Sequence, residues 1–177
     1  AAAKNYHDVT VISNIDQYEE FINEMKIYKG KTSLEFRKKM SQLAFSETAY
    51  YDSVISNYFN ELTNNLFPNK KIINANLVEK LRYGENPHQI SAIYSKNKKL
   101  CIKQISGKKL SYNNYNDIYA ALTISKSLAK NSGTVIVKHA NPSGVSVEFD
   151  HLKSYISAIN CDPISAFGGI LACNYRV

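Results

Sequence analysis

The sequence has few cysteines and no long apolar run. Its only cysteines are Cys101, Cys161 and Cys173, an odd number at wide spacing. That pattern argues against a disulfide framework or a zinc site, and it fits a reducing cytosol. No apolar run approaches the roughly 20 residues that a membrane-crossing helix needs, and the first residues are not a signal peptide. We therefore expect a cytoplasmic protein that does not enter a membrane.

The common fingerprints of nucleotide binding and catalysis are also missing. The sequence contains no Walker loop, no glycine-rich dinucleotide fingerprint, no metal-ligand spacing and no serine-nucleophile elbow. The net charge is +7, but the lysines occur in scattered pairs rather than along one stripe. Scattered charge is typical of a solvated surface, so we expect no nucleic-acid partner. Since no metal-ligand spacing is present, we also expect no metal. Anionic small-molecule substrates fit the charge equally well.

The first third of the chain favours helices. Ser33 is a suitable N-cap, and the apolar residues after it recur at helical spacing. The predicted elements are the last turn of a helix over residues 1–5, a strand over 9–12, a helix from Asn14 or Asp16 to about residue 28, and a long helix towards residue 59. Residues 60–76 are rich in Asn and Lys and lack a regular period, which indicates a linker. Because the chain opens without Met, we expect it to be part of something longer.

The rest of the chain alternates strand-like and helix-like segments, which predicts an α/β fold. The predicted elements are a loop over residues 81–89, a hairpin of 92–94 with 100–105, a helix over 117–129 capped by Asn116, a strand over 134–137, a helix over 148–158 and a final strand ending at Cys173. We divide the chain into a domain over residues 1–67, a linker over 68–76 and a second domain over 77–177.

One strand ends in a pair of titratable side chains. The β-branched run of residues 134–137 predicts a buried strand, which stops at Lys138 and His139 before a turn over residues 141–144. In open α/β sheets the carboxyl edge of the strands is where ligands bind. Adjacent Lys and His can place a proton donor and a proton acceptor in one site. An exposed basic pair with no function is the alternative.

Two glycine-containing segments are further candidates. In the loop over residues 81–89, Arg82 offers a planar fork for phosphate or carboxylate, and Tyr83 offers a stacking face. Gly168 and Gly169 allow a close backbone approach to a ligand. For the loop, the alternative is a segment held by salt bridges without a binding role. For the two glycines, the alternative is a simple β-bulge. Residue types alone thus leave three functions open: acid–base chemistry on a small anion, a nucleotide- or nucleic-acid-binding module without catalysis, and an inert interaction domain.

Three multi-residue motifs, in this order, carry a family resemblance. They are residues 81–89 (L-R-Y-G-E-N-P-H-Q), 138–144 (K-H-A-N-P-S-G) and 161–169 (C-D-P-I-S-A-F-G-G). Together they resemble the bifunctional purine-biosynthesis enzymes with phosphoribosylaminoimidazolecarboxamide formyltransferase and IMP cyclohydrolase activities. The segment A-A-A-K-N at residues 1–5 and the long helix resemble the end of the family's cyclohydrolase domain. Ser143 is a departure, because bacterial members carry Cys there.

The resemblance implies a fold and a pair of reactions. The fold is the end of a methylglyoxal-synthase-like (Rossmann-like) cyclohydrolase domain, followed by the first part of a cytidine-deaminase-like α/β transformylase domain. The transformylase moves a formyl group from the cosubstrate 10-formyltetrahydrofolate to the amine of aminoimidazole carboxamide ribonucleotide. The cyclohydrolase closes the product to IMP with loss of water. A homodimer is implied as well.

The resemblance also assigns roles to residues. His139 resembles the residue that transfers the proton in formyl transfer, and Lys138 its transition-state stabiliser. The other implied residues are Arg82 and Tyr83 as ribonucleotide contacts, Gly168 as a backbone contact, and Lys4 as the cyclohydrolase lysine. Most of the folate site and other nucleotide contacts are implied to lie outside these residues, so we expect the 177-residue chain to be inactive alone.

Overall fold

In the computed structural model, residues 1–177 are all described, and they divide into two compact units, residues 1–74 and residues 75–177. The first unit is helical, and the second combines helices with two small sheets. The predicted α/β class is therefore confirmed. None of the helices has the length and apolar character that crossing a membrane requires.

The first unit is built on one long helix. Its elements are 3-10 helices at Ala2–Asn5 and Ile15–Gln17, α1 at Tyr18–Ile27 and α2 at Leu34–Leu62. Ser33 caps α2 by accepting a hydrogen bond from the Phe36 N–H at 3.2 Å, as its position predicted. Phe36 and Met40 of α2 are buried, and the Phe36 ring packs against Phe21 of α1 with 6.3 Å between centroids. This ring contact joins the apolar faces of the two helices, while several other apolar side chains of both, including Ile22 and Phe45, are exposed.

The strand predicted over residues 9–12 is wrong. These residues are not part of any sheet, and the first unit contains no strand. A strand requires a neighbour to receive its backbone hydrogen bonds, and the helices of this unit do not offer one. A short β-branched run is therefore insufficient to predict a strand here.

The second unit contains a two-stranded and a three-stranded antiparallel sheet. Its elements are β1 at Asn76–Lys80, β2 at Ala92–Ser95, α3 at Tyr112–Ser127, β3 at Gly133–Lys138, β4 at Asn141–Val147, α4 at His151–Cys161, α5 at Pro163–Ala166 and β5 at Ile170–Cys173. β1 pairs with β2, and β3 lies between β4 and β5. The predicted strand at residues 134–137 and the final strand ending at Cys173 are confirmed.

The central strand β3 is buried along almost its whole length. Val135 and Val137 point to one face, where they form a core with Ala121 of α3. Thr134 points to the other face and contacts Ser154 of α4, with 2.9 Å between the hydroxyl oxygens. Helices therefore cover both faces of β3, which explains why its sequence is a continuous apolar run rather than an alternating one.

The polar atoms beside β3 are paired. The Ser154 hydroxyl donates to the carbonyl of Ser132 at 2.9 Å, and the Tyr175 hydroxyl lies 2.6 Å from the hydroxyl of Thr134. The Asn174 side chain accepts from the N–H groups of Ser132 and Gly133 at 3.1 and 2.9 Å. Buried polar groups destabilise a fold when they lack partners, and this face of the sheet leaves none unpaired.

The predicted hairpin of residues 92–94 with 100–105 is wrong. β2 forms as expected, but its partner is β1, which precedes the loop over residues 81–89. Residues 100–105 contain no strand. The turn-forming residues 97–99 predicted a local hairpin. In the structure, the longer connection between β1 and β2 instead places β1 beside β2.

The helix α3 begins earlier than predicted. Ser111, rather than Asn116, is the N-cap, and it forms a capping box in which the Asn114 side-chain oxygen accepts a hydrogen bond from the Ser111 backbone N–H. The box satisfies N–H groups that the helix end leaves free, so the helix can begin at Tyr112. The helix predicted over residues 148–158 instead begins later, at His151, because Asp150 caps it.

Gly144 sets the distance between β4 and α4. A Cβ added at Gly144 would overlap the carbonyl oxygen of Ala158 and lie 2.9 Å from its carbonyl carbon. The obstacle is helix backbone, which cannot rotate away as a side chain can. A larger residue at position 144 therefore has to push α4 off the sheet.

We expect Gly144→Ala to destabilise the second unit by about 3 kcal/mol, near the upper end of overpacking penalties. Urea unfolding followed by far-UV circular dichroism measures the change. Val145→Ala is the control, because Val145 is partly exposed and its truncation leaves this contact intact. An unchanged unfolding midpoint for Gly144→Ala would show that α4 does not pack this closely on β4.

Candidate functional site at the β3–β4 hairpin

The predicted Lys–His pair lies at the tip of a tight hairpin. Lys138 pairs with Asn141 as the last rung of β3 and β4, so His139 and Ala140 alone form the loop. Both have positive φ, 53° and 59°, as two-residue hairpin loops with a type I′ turn require. Neither is glycine, and left-handed backbone costs other residues about 1–2 kcal/mol each. His139 is thereby held exposed in a strained turn.

Two parts of the prediction for this segment are wrong. Residues 141–144 are not the turn but the start of β4, with a bulge at Ser143. The sheet is antiparallel, so the rule for carboxyl edges of open α/β sheets does not place this site. The pair reaches solvent for a different reason: β3 leaves the layer between α3 and α4 at Lys138.

The hairpin tip is held from the side by α3. The Asp117 carboxylate accepts a hydrogen bond from the Ala140 N–H at 2.7 Å. The Asn141 side chain adds a second contact by donating to the carbonyl of His139 at 2.8 Å. These bonds offset part of the backbone strain, since a hydrogen bond to a charged acceptor is stronger than a neutral one.

Arg82 and Tyr83 form a stacked pair in the loop over residues 81–89. The guanidinium lies over the Tyr83 ring, with its carbon 4.8 Å from the centroid, and one guanidinium nitrogen donates to the Tyr83 hydroxyl at 3.1 Å. A hydrogen bond with the Ser111 side chain makes the largest contribution to lowering the pKa of Tyr83. The hydrogen bond and the positive charge of Arg82 lower it further. Gly84 closes the loop, because its N–H donates to the Gln89 carbonyl at 2.8 Å. The predicted loop is confirmed, and it presents a cationic, aromatic surface.

The same loop is attached to the beginning of α3. Backbone hydrogen bonds join Arg82 to Leu110 at 3.0 Å and Tyr112 to Tyr83 at 3.1 Å. The Asn113 side chain donates to the carbonyl of Glu85 at 3.0 Å. The first turns of α3 thus contact the loop, and one turn further on Asp117 contacts the hairpin tip.

Lys138 connects the hairpin to the third motif. Its ammonium donates to the carbonyl of Phe167 at 3.0 Å. Asp162 caps the short helix α5, and hydrogen bonds from Ser165, with a smaller contribution from the Lys138 charge, lower the pKa of Asp162. Gly168, next to Phe167, has a φ of 76° and nothing within 4 Å of where a side chain would project. This backbone is open to an incoming group.

Lys4 lies in the other unit. It lies in the last turn of the 3-10 helix Ala2–Asn5 and is exposed. That helix is fixed to α2, because Ser41 donates to the carbonyl of Ala3 at 2.5 Å and Arg37 donates to the carbonyl of Tyr6 at 2.8 Å. The structure therefore brings the segments of Arg82, Tyr83, Lys138, His139 and Gly168 together within one unit, while Lys4 stands on a separately anchored turn.

The sequence does not single out Asn113, Asp117 or the Phe167 carbonyl as site residues. Asn113 and Asp117 belong to a polar and aromatic segment, residues 107–117, which fits a hydrogen-bonded turn as well as a cluster that orients a ligand. A backbone carbonyl has no signal in the sequence at all. The structure contains no cluster of His, Cys, Asp and Glu that could hold a metal ion.

These features define an α/β protein with a polar, partly cationic site at a hairpin tip. The sequence model of the AICARFT/IMPCHase bienzyme family matches residues 2–177. Bifunctional purine biosynthesis proteins PurH are 43% identical in Bradyrhizobium diazoefficiens, 41% in Rhizobium leguminosarum bv. trifolii and 39% in Mesorhizobium japonicum, over 98% of this chain and 34% of each relative. The chain belongs to the AICARFT/IMPCHase bienzyme family, which confirms the resemblance, and it spans about a third of these relatives' length.

We expect Arg82→Gln to raise the pKa of Tyr83, because both the hydrogen bond and the positive charge that favour the phenolate are removed. A titration of the Tyr83 ring carbon by NMR, with labelled tyrosine, measures the change. Arg82→Lys is the control, since it keeps the charge and should leave more of the shift in place. An unchanged Tyr83 titration in Arg82→Gln would contradict the stacked geometry.

Proposed function

We propose that the protein containing this chain catalyses the last two steps that make IMP. It transfers a formyl group from 10-formyltetrahydrofolate to the amine of aminoimidazole carboxamide ribonucleotide, and it then closes the product ring with loss of water. The observation that carries the proposal is the Lys138–His139 pair at an exposed hairpin tip, joined through α3 to the Arg82–Tyr83 loop. Membership of the AICARFT/IMPCHase family supports it.

His139 is proposed as the base in formyl transfer. The amine of the ribonucleotide is a poor nucleophile, because its lone pair is delocalised into the imidazole and the carboxamide. As the new C–N bond forms, the imidazole of His139 takes the amine proton. When the bond between the formyl carbon and the folate nitrogen breaks, that nitrogen takes up a proton. The exposed position of His139 gives it access to a bound substrate.

Lys138 is proposed to stabilise the negative charge that develops on the formyl oxygen during the attack. Preorganised donors of this kind are effective because they need no reorientation during the reaction. The hydrogen bond of the ammonium to the Phe167 carbonyl supports this role, since it restrains an otherwise flexible side chain. The ammonium has three donors, so two remain for the substrate.

Arg82, Tyr83 and Gly168 are proposed as ribonucleotide contacts. The guanidinium of Arg82 matches the geometry of a phosphate or carboxylate, and the Tyr83 ring provides a stacking surface. The left-handed backbone and open surroundings of Gly168 suit a close approach of the substrate to the main chain. All three act in binding and orientation rather than in proton transfer.

Lys4 is proposed to act in the cyclisation. There the carboxamide nitrogen attacks the formyl carbon, the ring closes, and the formyl oxygen leaves as water. The Lys4 ammonium would stabilise the oxyanion of that attack. Its exposure and the anchoring of its helix on α2 support the role.

The same proposal covers the domains and the partners. Residues 1–67 are the end of a methylglyoxal-synthase-like cyclohydrolase domain, residues 68–76 a linker, and residues 77–177 the first part of a cytidine-deaminase-like transformylase domain. Most of the folate site lies in parts of the protein outside this chain, and the protein acts as a homodimer. The cytoplasm is the proposed compartment, in keeping with the three unpaired cysteines.

We expect His139→Ala to lower kcat for formyl transfer by about 100- to 10,000-fold, the usual contribution of a general base. Cyclisation of the formylated product should be unchanged, because Lys4 belongs to the other unit. The two half-reactions are assayed separately in a full-length protein that carries this sequence. His151→Ala is the matched control: His151 is exposed at the start of α4 and stacks on Tyr175.

Lys4→Met provides the reciprocal test. It should lower cyclisation by about 100-fold or more and leave formyl transfer intact, since a lost oxyanion donor typically costs that much.

An equal loss of both half-reactions in His139→Ala would contradict the role proposed for His139. Full formyl transfer by His139→Ala would do the same.

A further inference from the structure

We propose that Asp117 is a positioning residue for formyl transfer: it holds the hairpin tip so that His139 faces the substrate. The inference rests on the proposed function of His139. Asp117 does not need to touch the substrate, because it acts through the backbone of the neighbouring Ala140. Nothing in the three motifs includes Asp117, which lies between the first and second of them in sequence.

The hairpin tip needs an external restraint. His139 and Ala140 both have positive φ, although neither is glycine. Without a further contact, relaxation to ordinary backbone angles would lower the conformational energy of the chain between Lys138 and Asn141. Such a relaxation changes the direction of the His139 side chain while leaving the sheet in place.

Asp117 supplies that restraint from a rigid element. Its carboxylate accepts the Ala140 N–H at 2.7 Å, and it is the one acidic side chain of α3. α3 is itself fixed, since Ala121, one turn further along, is fully buried against β3. The position of the turn is thus fixed relative to the core of the unit.

The same face of α3 holds the substrate-binding loop. Asn113 lies four residues before Asp117, so the two side chains are neighbours on the helix surface. Asn113 donates to the carbonyl of Glu85 at 3.0 Å, next to the loop's Arg82 and Tyr83. One turn of helix therefore fixes the spacing between the proposed base and the proposed ribonucleotide contacts.

The test uses kinetics of the full-length protein that carries this sequence. Asp117→Ala removes the acceptor, and we expect kcat for formyl transfer to fall by about 10- to 100-fold, the effect of misplacing a reacting group by roughly 1 Å. KM for the ribonucleotide should change by less than about 3-fold, because Arg82 and Tyr83 keep their backbone hydrogen bonds to Leu110 and Tyr112. Cyclisation should be unaffected.

Two further variants separate positioning from a general loss of structure. Asp117→Asn keeps an oxygen acceptor at the same place without the charge, so it should retain kcat within about 3-fold of the parent. Ala140→Gly, added to Asp117→Ala, should restore much of the lost kcat, because glycine adopts positive φ without a side-chain penalty. Thr123→Ala is the control on α3, since its exposed hydroxyl bonds only within the helix, to Tyr119.

The outcomes distinguish the inference from the proposal beneath it. If His139→Ala abolishes formyl transfer and Asp117→Ala leaves it at the parent rate, only the positioning role of Asp117 is overturned. If Asp117→Asn is as impaired as Asp117→Ala and Ala140→Gly restores nothing, the acceptor does not position the turn and the inference is also overturned. If His139→Ala retains formyl transfer, the proposed function and the inference fall together.

Discussion

The burial of β3 on both faces is the constraint on which the second unit depends. Val135 and Val137 pack against α3, and Thr134 packs against α4, so no charged residue is tolerated until the strand leaves these layers. Lys138 is the first residue of the strand that is not buried, and His139 is exposed. The position of the proposed chemistry is thus a direct consequence of where the core ends.

The helix α3 has a double role because it faces both the core and the site. Its buried side, which includes Ala121, is held by β3, while Asn113 and Asp117 hold the loop and the hairpin tip. A rigid element that carries positioning contacts on one face and core contacts on another keeps a site more reproducible than loops alone. The strained tip and the open backbone at Gly168 can persist because the well-packed layers behind them stabilise the unit.

The sequence predicted the elements whose signals are local. The cap at Ser33, the strand at residues 134–137 and the loop with Asn86 and Pro87 all follow from nearby residues, and the structure contains each of them. The errors in strand pairing depended on distant partners. The pairing of β2 with β1, and the lack of any strand over residues 9–12, are decided by which segments meet in space.

The site was predictable in its residue types and not in its geometry. Lys138, His139, Arg82 and Tyr83 are recognisable from their motifs, but positive φ at His139 and Ala140 has no signature in those residue types. The contribution of Asp117 was hidden as well, because its partner is a backbone N–H 23 positions away.

The most direct measurement is a crystal structure of the full-length protein with aminoimidazole carboxamide ribonucleotide bound. The proposed mechanism predicts the exocyclic amine within about 3.5 Å of a ring nitrogen of His139, since proton transfer needs hydrogen-bond reach. It also predicts that the Lys138 ammonium lies on the side where the formyl oxygen would be. A ribonucleotide bound away from the β3–β4 hairpin, with its amine out of reach of His139, would contradict it.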